Sequence, residues 1–337
     1  MTRIQLTETA LERLQPRLDA LEQPFDYVVM DEAGILRLDG RAVSPEQAGA
    51  ECGLLSNDLF FAACQMDYVD ALVASPALKW VQSCGAGLDH PMFVNLARRS
   101  DIRLTTNHSQ DVGIAEYVLW GVLDHFHGGG AQPIWPAGQE THQWVRRRAR
   151  EIHGTRWLIL GFGSIGQAVA RRARAFGAHV TGVRRKILPM DCADAMATPD
   201  DIPGLLGQAD VVVLCMPQTP ETVNLADARF LAAMKPTAML INVGRGSAID
   251  DMALLDALDT GRPEHALLDV FRVEPLPADH PFWNHPRITV TPHTAAVSTG
   301  WDKRLDDLVI DNIGRYLAGA PLRNEVPIAD ILRDRVT

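Results

Sequence analysis

The segment RWLILGFGSIG, residues 156–166, decides the fold class of this 337-residue chain. An apolar strand leads directly into the pattern G-x-G-x-x-G, and a helical stretch follows from Ser164 to Phe176. In such a unit the first glycine permits a tight turn, the second admits a pyrophosphate close to the backbone, and the third allows close helix–strand packing. The helix N-terminus then offers free N–H groups to the phosphates. The predicted dinucleotide contacts are Gly161, Phe162, Gly163, Ser164, Ile165 and Gly166.

Short apolar runs alternate with helical stretches on both sides of this segment. This alternation predicts an α/β fold with two doubly wound domains. The expected strands are 27–30, 35–38, 79–83, 102–105, 157–160, 179–183, 211–214, 239–242, 265–270 and 287–290. The first 23 residues are polar and are predicted to be helical, and a long helix is expected from Val112 to Phe126. The amphipathic helix at 299–317 is expected to return to the first domain, so that residues 1–106 and 299–337 form one domain and residues 107–298 the other.

Composition and charge argue against several classes of function. The formal net charge of -10 would repel nucleic acid and anionic membranes. Five widely spaced cysteines without a CxxC pair suggest neither a disulfide framework nor a zinc site, and His125 and His127 diverge on a helix, so no metal is expected. The N-terminus lacks an apolar signal core, and no run is long enough to cross a bilayer. A cytoplasmic protein is therefore expected.

The position that reads the adenosine ribose holds a basic residue. Eighteen positions after Gly166, at the end of the next predicted strand, the chain has Arg184 followed by Arg185. An acidic residue there would accept hydrogen bonds from the ribose hydroxyls of NAD, whereas arginine offers a donor fork to a 2′-phosphate. The sequence therefore favours NADP(H), with NAD(H) as the alternative cofactor. A solvated basic loop without a ligand is the structural alternative.

Three further segments carry an ionisable residue beyond a predicted strand: INVGRGS at 241–247, LDVFRVEPL at 268–276 and VTPHTAA at 290–296. Together with the glycine turn and the loop CGAGLD at 84–89, they resemble the D-isomer-specific 2-hydroxyacid dehydrogenases, in order and spacing, from about residue 79 to residue 317. The resemblance implies a Rossmann dinucleotide-binding domain, a flavodoxin-like substrate domain and an active-site cleft between them.

The resemblance also implies catalytic roles. Arg245 would bind the substrate carboxylate, His293 would be the acid/base, and Glu274 would be its partner. An imidazolium can protonate a keto oxygen near neutral pH, a neighbouring carboxylate favours that charged ring, and a guanidinium suits carboxylate binding. Backbone N–H groups at Gly85, Ala86 and Gly87 could form a second carboxylate cradle. Each ionisable residue taken alone is more often structural or solvated than catalytic, but three such residues beyond strands of one nucleotide fold favour a catalytic site.

The remaining candidates line the same predicted edge of the sheet. The resemblance implies that Asp269 lies near the nicotinamide carboxamide and that residues 216–222 lie alongside the adenosine. The further cofactor candidates are Met216, Pro217, Thr222, Val243, Gly244, Arg245, Asp269, His293 and Ala295.

The activity that this resemblance implies is NAD(P)H-dependent reduction of a small 2-keto acid to the D-2-hydroxy acid, of the glyoxylate/hydroxypyruvate type. The chain ends at Thr337, so no regulatory amino-acid-binding domain is expected. A reductase of bulkier 2-keto acids and a dinucleotide-sensing, corepressor-like binding protein remain the alternatives. The loop 130–144 is atypical, with Trp135 and Trp144 as candidates for shaping substrate choice or as packing anchors. The apolar helix at 112–122 and this loop predict a homodimer.

Overall fold

The computed structural model describes residues 1–88, 90–129, 138–144, 146, 148–188, 190–328 and 331. The chain divides into two compact units, Gln110–Ser298 and Met1–Ser109 together with the segment that starts at Thr299. Among the described residues, no helix is both long enough and apolar enough to span a membrane. Each unit is an α/β structure built around its own sheet.

The strands and helices are numbered here in chain order. The strands are β1 (Thr2–Thr7), β2 (Phe25–Met30), β3 (Leu36–Leu38), β4 (Arg41–Ala42), β5 (Cys52–Leu54), β6 (Trp80–Gln82), β7 (Arg103–Thr105), β8 (Arg156–Leu160), β9 (His179–Val183), β10 (Ala195–Ala197), β11 (Val211–Leu214), β12 (Met239–Asn242), β13 (His265–Leu268), β14 (Ile288–Val290) and β15 (Glu325–Val326). The helices are α1 (Glu8–Asp19), α2 (Pro45–Ala48), α3 (Gln65–Ala74), α4 (Met92–Leu96), α5 (Asp111–Phe126), α6 (Ser164–Ala175), α7 (Ile202–Leu206), α8 (Ala228–Ala233), α9 (Asp251–Asp259) and α10 (Trp301–Leu317).

The sheet of the first unit has, within the described residues, the order β15-β7-β6-β5-β1-β2-β3-β4. Strands β2, β1, β5, β6 and β7 are parallel, whereas β3, β4 and β15 join antiparallel at the two edges. Numbered along the chain, the parallel strands follow the order 2-1-3-4-5 of flavodoxin-like folds. The α/β prediction for this unit is confirmed.

The prediction of a helical N-terminus is wrong for its first residues. Thr2–Thr7 forms the central strand β1, which pairs with β2 and β5. Ile4 and Leu6 are fully buried, and Gln5, also fully buried, donates to the backbone oxygen of Tyr68 across 3.0 Å. Helix α1 begins only after Thr7, whose hydroxyl accepts from the Ala10 N–H. The Gln5 amide N–H finds its acceptor far along the chain, so the local composition of this strand hides its burial.

The sheet of the second unit is wholly parallel across the described residues, with the order β10-β9-β8-β11-β12-β13-β14. Along the chain this is the Rossmann order 3-2-1-4-5-6 with one further strand. Helices cover both faces, so β11, β12 and β13 are buried from end to end. The Rossmann prediction is confirmed, and the carboxyl ends of β8, β12, β13 and β14 lead into the loops that carry the predicted site residues.

Candidate active site

The glycine turn after β8 is closed by its neighbours. Gly161 has φ +92, and a Cβ there would lie 2.6 Å from the backbone nitrogen of Met216. The N–H groups of Gly161 and Phe162 both donate to the carbonyl of Val183, across 3.2 and 3.0 Å. Only glycine fits the first position of the turn, because both the backbone angle and the space exclude a side chain.

The other residues of the turn differ in how much space surrounds them: Phe162 and Gly166 are closely packed, whereas Gly163 faces open space. A Cβ at Gly166 would lie 2.5 Å from the carbonyl oxygen of Gly161, so α6 starts close against β8. Phe162 is 1% exposed and its side chain belongs to the core. A Cβ at Gly163, in contrast, would meet no atom within 4 Å. The open space at Gly163, at the N-terminus of α6, fits the pyrophosphate of a dinucleotide.

Ser164 and Ile165 begin helix α6, and their side chains have different neighbours. Ile165 packs against the core of the second unit. The Ser164 hydroxyl donates to the Asp111 carboxylate across 3.2 Å. A carboxyl group therefore lies beside the first turn of the helix that the sequence assigned to phosphate binding.

The basic pair after β9 is available for a ligand. The backbone N–H of Arg184 donates to the carbonyl of Ala197 across 3.1 Å, which fixes the chain at this point. The structure records no hydrogen bond or ion pair between either guanidinium, of Arg184 or of Arg185, and any residue that it describes. Two arginines at the end of the second Rossmann strand fit a ribose 2′-phosphate.

The loop after β11 is held by its own hydroxyl groups. The Thr222 hydroxyl accepts from the Thr219 N–H across 2.7 Å and donates to the carbonyl of Pro217 across 2.9 Å. Met216 is buried, and Pro217 is exposed. Thr222 thus shapes the loop that the sequence placed alongside the adenosine.

Asn242, at the end of β12, shapes the turn that carries Arg245. Its buried side-chain amide donates to the carbonyl of Arg245 across 2.9 Å and accepts from the Gly244 N–H across 3.1 Å. A Cβ at Gly244 would lie 2.8 Å from the carbonyl oxygen of Met216, which shows how closely this turn packs on the neighbouring loop. Val243 is buried. Arg245 is partly buried, and one of its donors is bonded to the carbonyl of Gly244.

The structure brings His293 and Glu274 together. His293 Nδ1 lies 2.7 Å from Glu274 Oε2, and Glu274 Oε1 accepts from the Phe271 N–H across 2.8 Å. The hydrogen bond that His293 donates to Glu274 is the largest cause of a raised His293 pKa, and the charges of Glu274 and Asp269 add to the rise, whereas burial and the charge of Arg245 act against it. Burial opposes ionisation of Glu274, but hydrogen bonds from His293 and Phe271 bring its pKa below the ordinary value.

The direction of the His293 hydrogen bond follows from these pKa changes. Because Glu274 is an anion and accepts, Nδ1 carries the proton that is shared with it. The side chain of His293 is 52% exposed, and its Nε2 has no hydrogen-bond partner among the described residues. The ring is therefore oriented by one nitrogen and can exchange a proton through the other.

Asp269, at the end of β13, is a buried carboxylate with three donors. It accepts from the Thr291 hydroxyl across 2.6 Å and from the N–H groups of Thr294 and Ala295, each across 2.9 Å. The Tyr117 hydroxyl lies 2.6 Å from that of Thr291 and extends the network to α5. Asp269 therefore holds the loop on which His293 lies, and Ala295 of this loop is buried.

The predicted cradle of Gly85, Ala86 and Gly87 lies after β6 in the first unit. The Gly85 N–H already donates to the Ser83 hydroxyl across 3.0 Å. Within the described residues, the N–H groups of Ala86 and Gly87 have no recorded acceptor. The available cradle is therefore narrower than the three consecutive groups expected from the sequence.

The structure gives little information on the two tryptophans of the loop 130–144. Trp135 lies outside the described residues, and Trp144 is 93% exposed. Across the part of the chain that the structure describes, no group of three or more His, Cys, Asp or Glu side chains is placed to hold a metal ion. The sequence reasoning did not single out Asn242, Thr291 or Tyr117, because their roles depend on contacts between loops and not on any local motif.

Comparisons with known proteins agree with this architecture. Residues 133–295 match the family described as D-isomer specific 2-hydroxyacid dehydrogenase, NAD binding domain. The chain is 32% identical over 252 residues to a D-3-phosphoglycerate dehydrogenase of Mycobacterium bovis, covering 74% of this chain and 47% of that protein. It therefore spans about half the length of that relative.

Two shorter relatives match over most of their length. A glyoxylate/hydroxypyruvate reductase A of Yersinia enterocolitica is 30% identical over 272 residues, which cover 78% of this chain and 84% of the relative. The crystal structure of an NADPH-dependent glyoxylate/hydroxypyruvate reductase from Sinorhizobium meliloti, in complex with NADP and sulfate, has a TM-score of 0.77 and 27% identity, with 98% of this chain and 99% of that chain covered. The chain belongs to the D-isomer specific 2-hydroxyacid dehydrogenase family.

Proposed function

We propose that this protein uses NADPH to reduce a small 2-keto acid to the D-2-hydroxy acid. The observation that carries the proposal is the contact between His293 and Glu274, which raises the pKa of a partly exposed imidazole beside an arginine. A raised pKa extends the pH range over which the imidazole is protonated, and a protonated imidazole is the acid that reduction of a keto group needs. A binding protein without catalysis has no need of this pair.

Each residue of the site has a distinct task in this proposal. His293 donates its proton to the keto oxygen from Nε2, because Nδ1 is bonded to Glu274. Arg245 binds the substrate carboxylate and polarises the carbonyl, since its guanidinium keeps its charge at any relevant pH. Asn242 and Asp269 hold the two loops that carry these groups. The N–H groups of Ala86 and Gly87 are the proposed second contact to the carboxylate.

The cofactor part of the proposal rests on the turn and on the basic pair. The open face at Gly163 and the start of α6 would hold the pyrophosphate, and Arg184 with Arg185 would bind the 2′-phosphate. When bound, the reduced nicotinamide supplies a hydride to the keto carbon. The NADP complex of the Sinorhizobium meliloti reductase supports this choice over NADH.

The expected substrates are glyoxylate and hydroxypyruvate. The names of the Yersinia enterocolitica and Sinorhizobium meliloti relatives support them, and each of these relatives is covered over most of its length. Phenylpyruvate and 2-ketoisocaproate represent the bulkier alternative. Phosphohydroxypyruvate represents the longer relatives, of which this chain spans about half.

A substrate panel tests the proposal. Purified protein is given each of these keto acids with NADPH, the loss of reduced nicotinamide absorbance is followed, and the product is resolved on a chiral column. We expect the highest kcat/KM with glyoxylate or hydroxypyruvate, a D product from hydroxypyruvate, and a kcat for His293→Ala that is lower by about 10²- to 10⁴-fold. Preference for the bulky acids would overturn the substrate assignment. Tight NADPH binding without turnover of any keto acid would instead favour a dinucleotide sensor.

We also propose a cytoplasmic homodimer. Trp120 on α5 and Phe176 after α6 are about half exposed and line one groove with Leu119 and Leu123. Large apolar side chains grouped on a surface are typical of subunit contacts. Sedimentation of the protein and of Trp120→Glu tests this proposal: we expect a dimer that the substitution weakens, and a wild-type monomer would contradict it.

A further inference from the structure

The turn that carries Arg245 and the loop that carries Glu274 are in backbone contact. A Cβ on Gly246 would lie 1.9 Å from the carbonyl carbon of Phe271. No side chain can be placed at that distance, so the two segments approach each other only because residue 246 is glycine. Glu274 follows Phe271 by three residues and accepts its N–H. Any displacement at this contact is therefore transmitted to the carboxylate that orients His293.

Arg272 bridges the same two segments. Its Nη2 donates to the carbonyl oxygens of Ser247, across 3.3 Å, and of Ile249, both just beyond Arg245, and to the side-chain oxygen of Asn224. Its Nε lies 3.7 Å from Asp251 Oδ1. An arginine on the surface is ordinarily solvated, but Arg272 donates hydrogen bonds to acceptors in neighbouring loops. A planar fork of donors is suited to such bridging, because several bonds form from one fixed plane.

We infer that Arg272 is a positioning residue for the catalytic pair: by bonding the turn after Arg245, it holds Glu274 at the distance at which the carboxylate bonds His293. This inference rests on the proposed function, since it assigns Arg272 to the same site. It does not make Arg272 a substrate contact. Its effect on the reaction passes through Glu274.

The charges around His293 allow this role to be separated from a direct electrostatic one. The groups that shift the pKa of His293 are Glu274, Asp269 and Arg245, and Arg272 is not among them. If Arg272 acted through its charge, removing that charge would raise the pKa of His293. If it acts by holding Glu274 in place, removing it lengthens the contact and lowers the pKa. The two roles therefore predict opposite signs.

The test compares three variants. Arg272→Met removes the donors and keeps much of the side-chain volume, and Arg272→Lys keeps the charge but replaces the planar fork with a single ammonium. Arg262→Met is the matched control, because Arg262 also donates to two backbone carbonyls, those of Ala232 and Met234 across 3.0 and 3.2 Å, at a place outside the site. The readouts are the His293 imidazole titration by NMR in cofactor-free protein, the thermal midpoint, and kcat/KM for the best keto acid.

We expect Arg272→Met to lower the His293 pKa and to reduce kcat/KM by about 10- to 100-fold, the loss typical of a misplaced catalytic group. Arg272→Lys should lie between this variant and the wild type, also with a lowered pKa. Arg262→Met should leave the His293 pKa and kcat/KM unchanged, even if its thermal midpoint falls. A His293 pKa that stays constant or rises in both Arg272 variants would overturn the inference. If wild-type protein reduces no keto acid, the proposed function fails, while the NMR titration still decides whether Arg272 positions Glu274.

Discussion

His293 donates its backbone N–H to the carbonyl oxygen of Asp269 across 2.8 Å, so the loop after β14 is bonded to the end of β13. His293 has φ +49, a left-handed conformation that non-glycine residues adopt at a cost. The Asp269 carboxylate, 1% exposed, offsets that cost by accepting from the next two N–H groups. The buried Asp269 carboxylate thus stabilises the strained backbone of His293.

Asp269→Asn disrupts the hydrogen bonds to this loop with little change in side-chain volume. The asparagine amide has an NH₂ donor in place of one carboxylate oxygen. At least one of the three groups that now donate to Asp269, the Thr291 hydroxyl and the N–H groups of Thr294 and Ala295, therefore loses its acceptor. We expect unfolding free energy to fall by about 1–3 kcal/mol, the cost of an unsatisfied buried group. The pKa of His293 should also fall, because the Asp269 charge helps to raise it. Urea unfolding and a pH profile measure the two effects. Asp279→Asn, at an exposed carboxylate, is the control, and equal effects of the two substitutions would contradict the prediction.

His293→Ala removes the proposed acid without touching the dinucleotide turn. We expect kcat for keto-acid reduction to fall by about 10²- to 10⁴-fold, the range for a positioned general acid. NADPH affinity, measured by fluorescence titration, should stay nearly constant. His179→Ala, at an exposed position of β9, should retain wild-type turnover. Near-normal turnover of His293→Ala would refute the catalytic assignment.

Glu274→Gln should displace the pH profile of reduction. In the proposed reaction His293 must be protonated, so kcat/KM should fall as pH rises through the pKa of that residue. The carboxylate raises this pKa above the ordinary value of 6.5, and its removal should move the fall to lower pH. The stability that the raised pKa contributes is present below pH 6.5 and is lost as pH rises through the folded-state pKa. Glu151→Gln, at an exposed glutamate, serves as control; identical profiles for Glu274→Gln and the wild type would exclude Glu274 as the partner of His293.

The sequence could predict those parts of the structure that have local causes. The glycine turn is one, because a tight turn and close packing must be met by Gly161 and Gly166 themselves. The apolar runs of β8, β11 and β12 are another, since strands buried on both faces have little room for polar residues. The same runs place the residues that follow them at one edge of the sheet.

The parts that could not be predicted depend on distant partners. The strand Thr2–Thr7 contains buried Gln5, whose acceptor is the Tyr68 backbone 63 positions away. Asn242 and Asp269 are recognisable as loop anchors only when the registers of β12, β13 and β14 are known. Arg272 resembles any exposed arginine until the carbonyls of Ser247 and Ile249 are seen beside it. Long-range hydrogen bonding, not composition, gives these residues their roles.

Arg184→Ala should separate the two nicotinamide cofactors. Loss of a charged hydrogen bond of about 1.5–3 kcal/mol weakens binding by roughly 10- to 100-fold. We expect this loss for NADPH, which has the 2′-phosphate, and almost none for NADH. Fluorescence titration with both cofactors measures it, and Arg229→Ala on α8 is the control at an exposed arginine. An equal loss for NADPH and NADH would show that Arg184 does not read the 2′-phosphate.

Asp111→Asn should stabilise the protein at neutral pH and leave its stability unchanged in acid. Burial raises the pKa of Asp111 from 3.8 to about 6, although the Ser164 hydroxyl and the charge of Arg171 act against the rise. An acid with a raised folded-state pKa binds more protons in the folded state, so stability declines between pH 3.8 and about 6 and then stays level. Asparagine removes this decline and can still accept the Ser164 hydrogen bond.

We expect the free energy of unfolding of Asp111→Asn to exceed that of the wild type by about 1–2 kcal/mol at about pH 7.5. This figure is smaller than the full pKa change would give, because Asp111 is partly exposed to solvent. Urea unfolding at that pH and at about pH 3.5 measures the difference, which should vanish at the lower pH because both side chains are then neutral. Asp256→Asn, at an exposed position of α9, should change neither value. If Asp111→Asn gained as much at the lower pH as at the higher one, its effect would come from packing and not from the buried charge. A loss of stability at about pH 7.5 alone would instead show that the charged carboxylate beside Ser164 supports the N-terminus of α6.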